Sequence, residues 1–266
     1  NYILTEMRET GGDFNDILKE AQEKGYAEAD PTFDVDGIDA AHKLVLLGAL
    51  AFGVKPDFEG LEIEGIRKIT AKDIKFAQEL GYKIKLIGMA QSTGENKMQS
   101  MAPCLVDENS PLGNVEGVFN AVMTHGDFVD DTIMIGRGAG EGPTASSVVA
   151  DIIDIAHGDI RPVFGVPVSE LEECQWKGPE SITCKTYIHL KVEDKPGVIA
   201  DITACLKEAE VSIDSFIQHG HEDDGTASLV IMTQKAPFSV THKAVGAVEQ
   251  LACVLDNPTL LRVENT

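Results

Sequence analysis

The chain has 266 residues, 43% of them hydrophobic and 25% charged, the composition of a folded chain with enough length for one large or two ordinary domains. With 44 acidic against 22 basic side chains its formal net charge is −22, which argues against nucleic acid or an anionic membrane surface as a partner, since phosphate contacts need clustered Lys and Arg. No apolar run approaches the roughly 18 residues of a membrane span. Five cysteines (Cys104, Cys174, Cys184, Cys205, Cys253) lack CxxC spacing, and with no signal peptide a reducing cytoplasm is the expected location.

The chain opens at Asn1-Tyr2-Ile3-Leu4 without Met and already inside an apolar run, as a piece continuing from an earlier segment would. Phe14, Ile17, Leu18 and Ala21 fall at helical spacing between Asp13 and Gly25, which predicts a first helix. An Asp-rich stretch from Glu28 to Gly37 precedes an apolar helix over about Ile38 to Phe52. Thr70 with Asp73 three residues on is a capping-box variant opening a helix that ends at Gly81. Tyr82–Met89, Phe119–Met123 and Thr132–Ile135 read as strands, the last two joined through His125-Gly126-Asp127. Gly136-Arg137-Gly138-Ala139-Gly140 then leads into Pro143-Thr144-Ala145-Ser146, a helix start with Pro near its first position, and that helix runs to about Ala156.

Residues 158–185, with Pro162, Pro167 and Pro179, read as a linker. Beyond it Ile188, Leu190 and Val192 alternate as a strand, and Ile199, Ile202, Leu206 and Ala209 follow at helical spacing. Val211, Ile213 and Ser215 alternate again. After an Asp223-Asp224-Gly225 turn, Ala227, Leu229 and Ile231 form a partner strand. Val245, Val248, Leu251 and Leu255 make a second helix, and Leu260–Val263 a last strand. The order is βαββαβ, a ferredoxin-like module.

The densest chemistry lies between Gly25 and Lys43. A calcium loop with Gly37 at its sixth position places Asp34 and Asp36 well, but the first ligand becomes Thr32 and the twelfth Lys43, a cation, so that reading fails. Asp39 and Lys43 are neighbours on one helix face, and a lysine flanked by carboxylates can hold a proton for a carbonyl, with Glu28 completing a pocket for an ammonium group. On spacing alone a solvated ion pair is the favoured reading. The alternating glycines at 136, 138, 140 and 142 do not match GxGxxG; backbone N–H groups offered to a cofactor and a tight turn needing positive φ stand about level. Asp194-Lys195-Pro196-Gly197 is either a small-ligand loop at a helix N-terminus or a Pro-Gly turn, and His219 with His221 fits a solvated loop better than a metal site, so no metal is expected.

Together, Asn1–Leu4, the long run from Gly25 to Lys43, and Gly136–Gly140 followed by Pro143–Ser146 resemble homoserine dehydrogenase, and residues 186–264 resemble the ACT regulatory domain carried by many of these enzymes. The resemblance implies an α+β fold of the α/β family: a mixed-sheet catalytic and dimerisation domain over 1–157, a linker over 158–185 and a ferredoxin-like ACT domain over 186–266. It implies NAD(P)-dependent interconversion of L-homoserine and L-aspartate 4-semialdehyde, on the route to threonine and methionine. Lys43 would be the catalytic acid, Glu28 and Asp39 would bind the amino acid, and Gly25 and Gly140 would approach the cofactor. The family's nucleotide-binding domain, with a further catalytic lysine and a sodium-binding loop, would precede Asn1, leaving this chain inactive alone. A homodimer or homotetramer and an amino-acid effector such as threonine at the ACT domain are expected. The alternative is an amino-acid-sensing regulatory protein without catalysis.

Overall fold

The structure is a computed structural model and describes residues 1–25, 27–93, 96–158, 161–219 and 225–264. It opens with helix α1 (Tyr2–Thr10), which the sequence reading left as an apolar run, followed by α2 (Phe14–Glu23), the short α3 (Thr32–Val35) and α4 (Ile38–Phe52). Strand β1 (Glu62–Ile63), helix α5 (Ala71–Glu79), β2 (Tyr82–Thr93) and β3 (Asn96–Asp107) come next, then β4 (Phe119–Gly126), β5 (Asp130–Arg137) and α6 (Glu141–His157). The C-terminal part contains β6 (Thr183–Cys184), β7 (Thr186–Glu193), α7 (Val198–Glu208), β8 (Ile213–His219), β9 (Thr226–Thr233), β10 (Ala236–Pro237), α8 (Phe238–Glu249) and β11 (Thr259–Glu264). The predicted βαββαβ order stands. Its second helix starts before Val245 and ends before Leu251 and Leu255. Pro143 is the third residue of α6, not near its first. His221, Asp223 and Asp224 lie outside the described residues.

One mixed sheet of seven strands, ordered β1-β3-β11-β7-β9-β8 with β2 on β3, runs through both halves of the chain. The C-terminal strands follow the ferredoxin-like order, and β11 pairs in parallel with β3 (Arg262 opposite Cys104, Glu264 opposite Val106). On one face, α7 and α8 cover Ile188, Leu190, Leu229 and Ile231. On the other, Tyr187, Val230, Met232 and Val263 share a core with Ile3 and Met7 of α1, Ile17 of α2, and Ile74 and Phe76 of α5. That burial of apolar surface is the main force joining the two halves.

The stretch read as a linker is no free tether. Leu171 is buried, Glu172 bridges to Val54, Lys177 bridges to Met98, and Trp176 meets Phe52 edge-on with ring centroids 6.0 Å apart. The β4–β5 hairpin forms its own two-stranded sheet, and none of the residues of α6 is buried. Phe128, Val129, Met134 and Ile135 of the hairpin and Val148, Ile152 and Ile155 of α6 are exposed, a larger apolar surface than isolated exposed side chains make.

Candidate active site

Helix α4 carries two of the five predicted site residues. Its inner face, Ala41, Leu44, Val45, Gly48 and Ala49, is buried, and Met101, Leu61, Phe58 and Leu86 pack in the same cluster. Its start fits closely: at Gly37, with φ +80°, a Cβ would already touch Met101, Ile63 and Leu86 at 3.4–3.6 Å. With that face fixed, the helical period turns Asp39 and Lys43 outward together. They form an ion pair with both side chains more than half exposed. Screening makes such a pair weak as a source of stability, so its interest is chemical: an ammonium group held beside a carboxylate on a rigid helix, open to a ligand.

The loop that carries Glu28 is fixed by side chains, not by a sheet or helix ladder. The Glu28 N–H donates to Asp34 Oδ2 (3.2 Å), and Gln22 Nε2 donates to the carbonyls of Glu28 (2.8 Å) and Ala29 (3.2 Å). Thr32 donates through both its N–H (3.1 Å) and its hydroxyl (2.6 Å) to Asp30 Oδ1, and those bonds hold the Asp30 carboxyl below its ordinary pKa. Asp36, at the turn into α4, pairs with Arg67 at 2.5 Å, and Ile66 N–H donates to the Val35 carbonyl at 2.9 Å. A Cβ at Gly65 would lie 2.5 Å from Asp36 Cα, so the 64–67 segment passes against this turn where only glycine fits. The Glu28 side chain is exposed, and among the described residues its carboxylate has no hydrogen bond or ion pair.

Gly25 (φ +74°) closes the turn after α2, and a Cβ there would meet nothing within 4 Å. Gly140 (φ +116°) caps the N-terminus of α6, with Pro143 at 3.6 Å from a Cβ position. Both positive-φ backbones face open space, with no side chain of the described residues covering Gly25 and only Pro143 near Gly140. The structure thus brings Asp39 and Lys43 together and sets Glu28 on a braced loop nearby in sequence. No hydrogen bond among the described residues joins Gly140 to these groups. Gln22 and Arg67 were missed by sequence reasoning. Gln22 sits where the apolar spacing of α2 says only that it is not core. Arg67 reaches Asp36 from 31 residues away, with no local signal. In the sequence Asp34 and Asp36 stand out only as calcium-ligand candidates. Among the described residues no group of three or more His, Cys, Asp or Glu could hold a metal, and no helix is long and apolar enough to cross a membrane.

Comparison with known proteins identifies the family. The family profile for homoserine dehydrogenase matches residues 1–153, and that for the ACT domain matches residues 186–253. Curated homoserine dehydrogenases from Neisseria gonorrhoeae and Pseudomonas aeruginosa are 44% and 39% identical, over 100% and 99% of this chain and 62% of each relative. A crystal structure of a homoserine dehydrogenase from Thiobacillus denitrificans superposes with a TM-score of 0.88 at 39% identity, covering 100% of this chain and 62% of that one. The chain therefore spans about three-fifths of the length of the relatives it matches, and it belongs to the homoserine dehydrogenase family, with an ACT domain in its C-terminal part.

Proposed function

We propose that this chain supplies the amino-acid-binding and proton-transfer part of an enzyme that interconverts L-homoserine and L-aspartate 4-semialdehyde with NAD(P). The observation that carries this reading is the outward Asp39–Lys43 pair on a rigidly seated helix, preceded in the chain by the braced Glu28 loop, within the segment that matches the family. The cofactor, when bound, supplies the hydride to the aldehyde carbon. Lys43, as the ammonium form, gives its proton to the aldehyde oxygen as that oxygen gains negative charge, so aldehyde, hydride and proton together make the alcohol. In the reverse direction the neutral amine takes the hydroxyl proton. Its exposure lets solvent restore the starting protonation state. Asp39 fixes the ammonium group and, with Glu28, offers negative charge to the amino acid's own ammonium group. Gly25 and Gly140 are assigned to the cofactor because neither carries a side chain to obstruct it.

The nucleotide-binding region and the sodium-binding loop of the family are assigned to a segment outside this chain, and residues 1–157 to the catalytic and dimerisation part. The exposed apolar surface of the hairpin and α6 supports burial against that segment and a second copy, in a homodimer or homotetramer. The ACT part is assigned an amino-acid effector such as threonine. Five free cysteines suit a reducing cytoplasm. The test is aspartate-semialdehyde reduction by the full-length enzyme, wild type against Lys43→Ala. A fall in kcat of about 10²–10⁴-fold with folding intact is expected for loss of a general acid. Retained turnover would move the proton to another group.

A further inference from the structure

The backbone of Glu28 is held on both sides by side chains. Its N–H donates to Asp34, and its carbonyl accepts from Gln22, whose amide uses its second hydrogen on the next carbonyl, that of Ala29. Gln22 in turn stands on a helix fixed from below: Ala21, its neighbour, and Ile17 are buried in the main core. The Gln22 amide ties the Glu28 and Ala29 carbonyls to a helix seated in the core, adding to the packing of Ala27 and Val35 against that core, while the Glu28 carboxylate itself stays unengaged among the described residues. Two donors converging on consecutive carbonyls fix both position and orientation, which one hydrogen bond does not.

We propose that Gln22 is a positioning residue of the substrate site, holding the Glu28 main chain so that the carboxylate meets the ammonium group of the amino-acid substrate. The proposal rests on the reading of Glu28 as an ammonium ligand and names the group that sets its geometry. It predicts a selective defect. Interactions with the ammonium end of the substrate weaken, whereas cofactor binding and proton transfer at the other end do not.

The test is steady-state kinetics of the full-length enzyme with Gln22→Met, which keeps the side chain's length and removes both donors, and with Gln22→Arg, which keeps N–H donors. Gln22→Met is expected to raise the KM for homoserine about fivefold, the factor corresponding to roughly 1 kcal/mol. The nucleotide KM and the inhibition constant of 4-hydroxybutyrate, which is homoserine without its ammonium group, should stay at wild-type values. Gln22→Arg should recover part of the lost affinity. In a Glu28→Gln background the Gln22→Met effect should vanish, because the group being positioned is gone. Equal weakening of homoserine and 4-hydroxybutyrate, or full additivity with Glu28→Gln, would overturn the proposal. If Glu28→Gln raises the homoserine KM and Gln22→Met does not, the Gln22 proposal alone falls. If Glu28→Gln leaves the homoserine KM unchanged, the reading of Glu28 falls and takes the proposal with it.

Discussion

Asp73 is a fully buried carboxylate, and its removal gives a sharp test of how the two halves of the chain are joined. It is the third residue of α5, where it closes a capping box with Thr70, accepting from the Thr70 N–H (3.0 Å) and hydroxyl (2.6 Å). Across the interface it accepts from His189 Nδ1 (2.7 Å) and the Tyr187 hydroxyl (3.2 Å), both on β7. Burial alone would push the Asp73 carboxyl up, but the hydrogen bonds from His189 and Thr70 outweigh it and hold the group below its ordinary value. Burial pushes the Tyr187 phenol far up, so it remains a donor throughout. A carboxylate accepts only, so His189 presents Nδ1–H to it. Asp73→Ala leaves two donors on β7 unpaired, the Tyr187 hydroxyl fully and His189 partly buried, at about 1–3 kcal/mol each, and weakens the cap by about 1 kcal/mol more. With partial relaxation the expected loss is about 3–5 kcal/mol, a large fraction of the roughly 5–15 kcal/mol a domain has. Urea unfolding of the chain at pH 7 reads it as a lowered midpoint. The folded pKa lies below the unfolded one, so this stability is present above the unfolded carboxylate value and is lost as pH falls through the folded value. The gap between wild type and variant should therefore narrow below about pH 4. A loss under about 1 kcal/mol, or a gap constant down through the acid range, would refute the reasoning.

Three further outcomes are expected. Gly65→Ala puts a Cβ 2.5 Å from Asp36 Cα and 2.6 Å from the Val35 carbonyl oxygen, backbone atoms that must shift, so thermal unfolding should show about 1–3 kcal/mol of destabilisation, and the full-length enzyme a raised homoserine KM. An unchanged Tm would show that the turn yields freely. Leu105→Ala, at a fully buried position near the end of β3, should cost about 2–5 kcal/mol by urea titration. Cys104 is buried and its thiol is pushed up by burial, and Cys184 is buried as well. Iodoacetamide followed by peptide mapping should therefore modify Cys174, Cys205 and Cys253 in the native protein and reach Cys104 only after unfolding. Early modification of Cys104 would contradict its place in the sheet.

What the sequence discloses and what it hides follow from how local each signal is. The helices α2, α4 and α5 carry their own punctuation, and the Thr70–Asp73 box forms as the spacing predicts. Alternation shows in β7 because buried Ile188, Leu190 and Val192 alternate with the less buried His189, Lys191 and Glu193. β3 hides for the opposite reason. It is the most connected strand, buried on both faces from Met98 to Val106, so it has no polar and apolar alternation to read, and Pro103 argues against a central strand by sequence rules alone. Gln99 and Ser100 look like surface residues, yet Gln99 Nε2 donates to the Asp57 carbonyl and Ser100 accepts from Arg262, 162 residues away. The same holds at the site. Asp39–Lys43 is legible because helical spacing makes them neighbours, whereas Arg67–Asp36 depends on chain segments that meet only after folding.

The missed strand also decides how the linker has to be understood. A tether between independent bodies would leave each with its own sheet and core, but β11 adds directly to β3 at residues 104–106, and Tyr187 and Val230 lie in the same core as Met7 and Phe76. At the joint, buried Arg262 donates to Ser100 (2.9 Å) and Glu264 (3.2 Å) and lies over the Phe238 ring at 5.5 Å, so it contacts β3, β11 and α8 at once. Taking away the C-terminal module would strip β3 of hydrogen-bond partners along that edge and bare the face of α5 that Asp73 ties to β7. Helix α4, which carries Asp39 and Lys43, packs chiefly on β2 with Met101 of β3 in the same cluster, so β3 lies between the strand under that helix and β11 of the ACT part. The helix that carries the Asp39–Lys43 pair and the strands of the ACT part thus belong to one sheet's architecture.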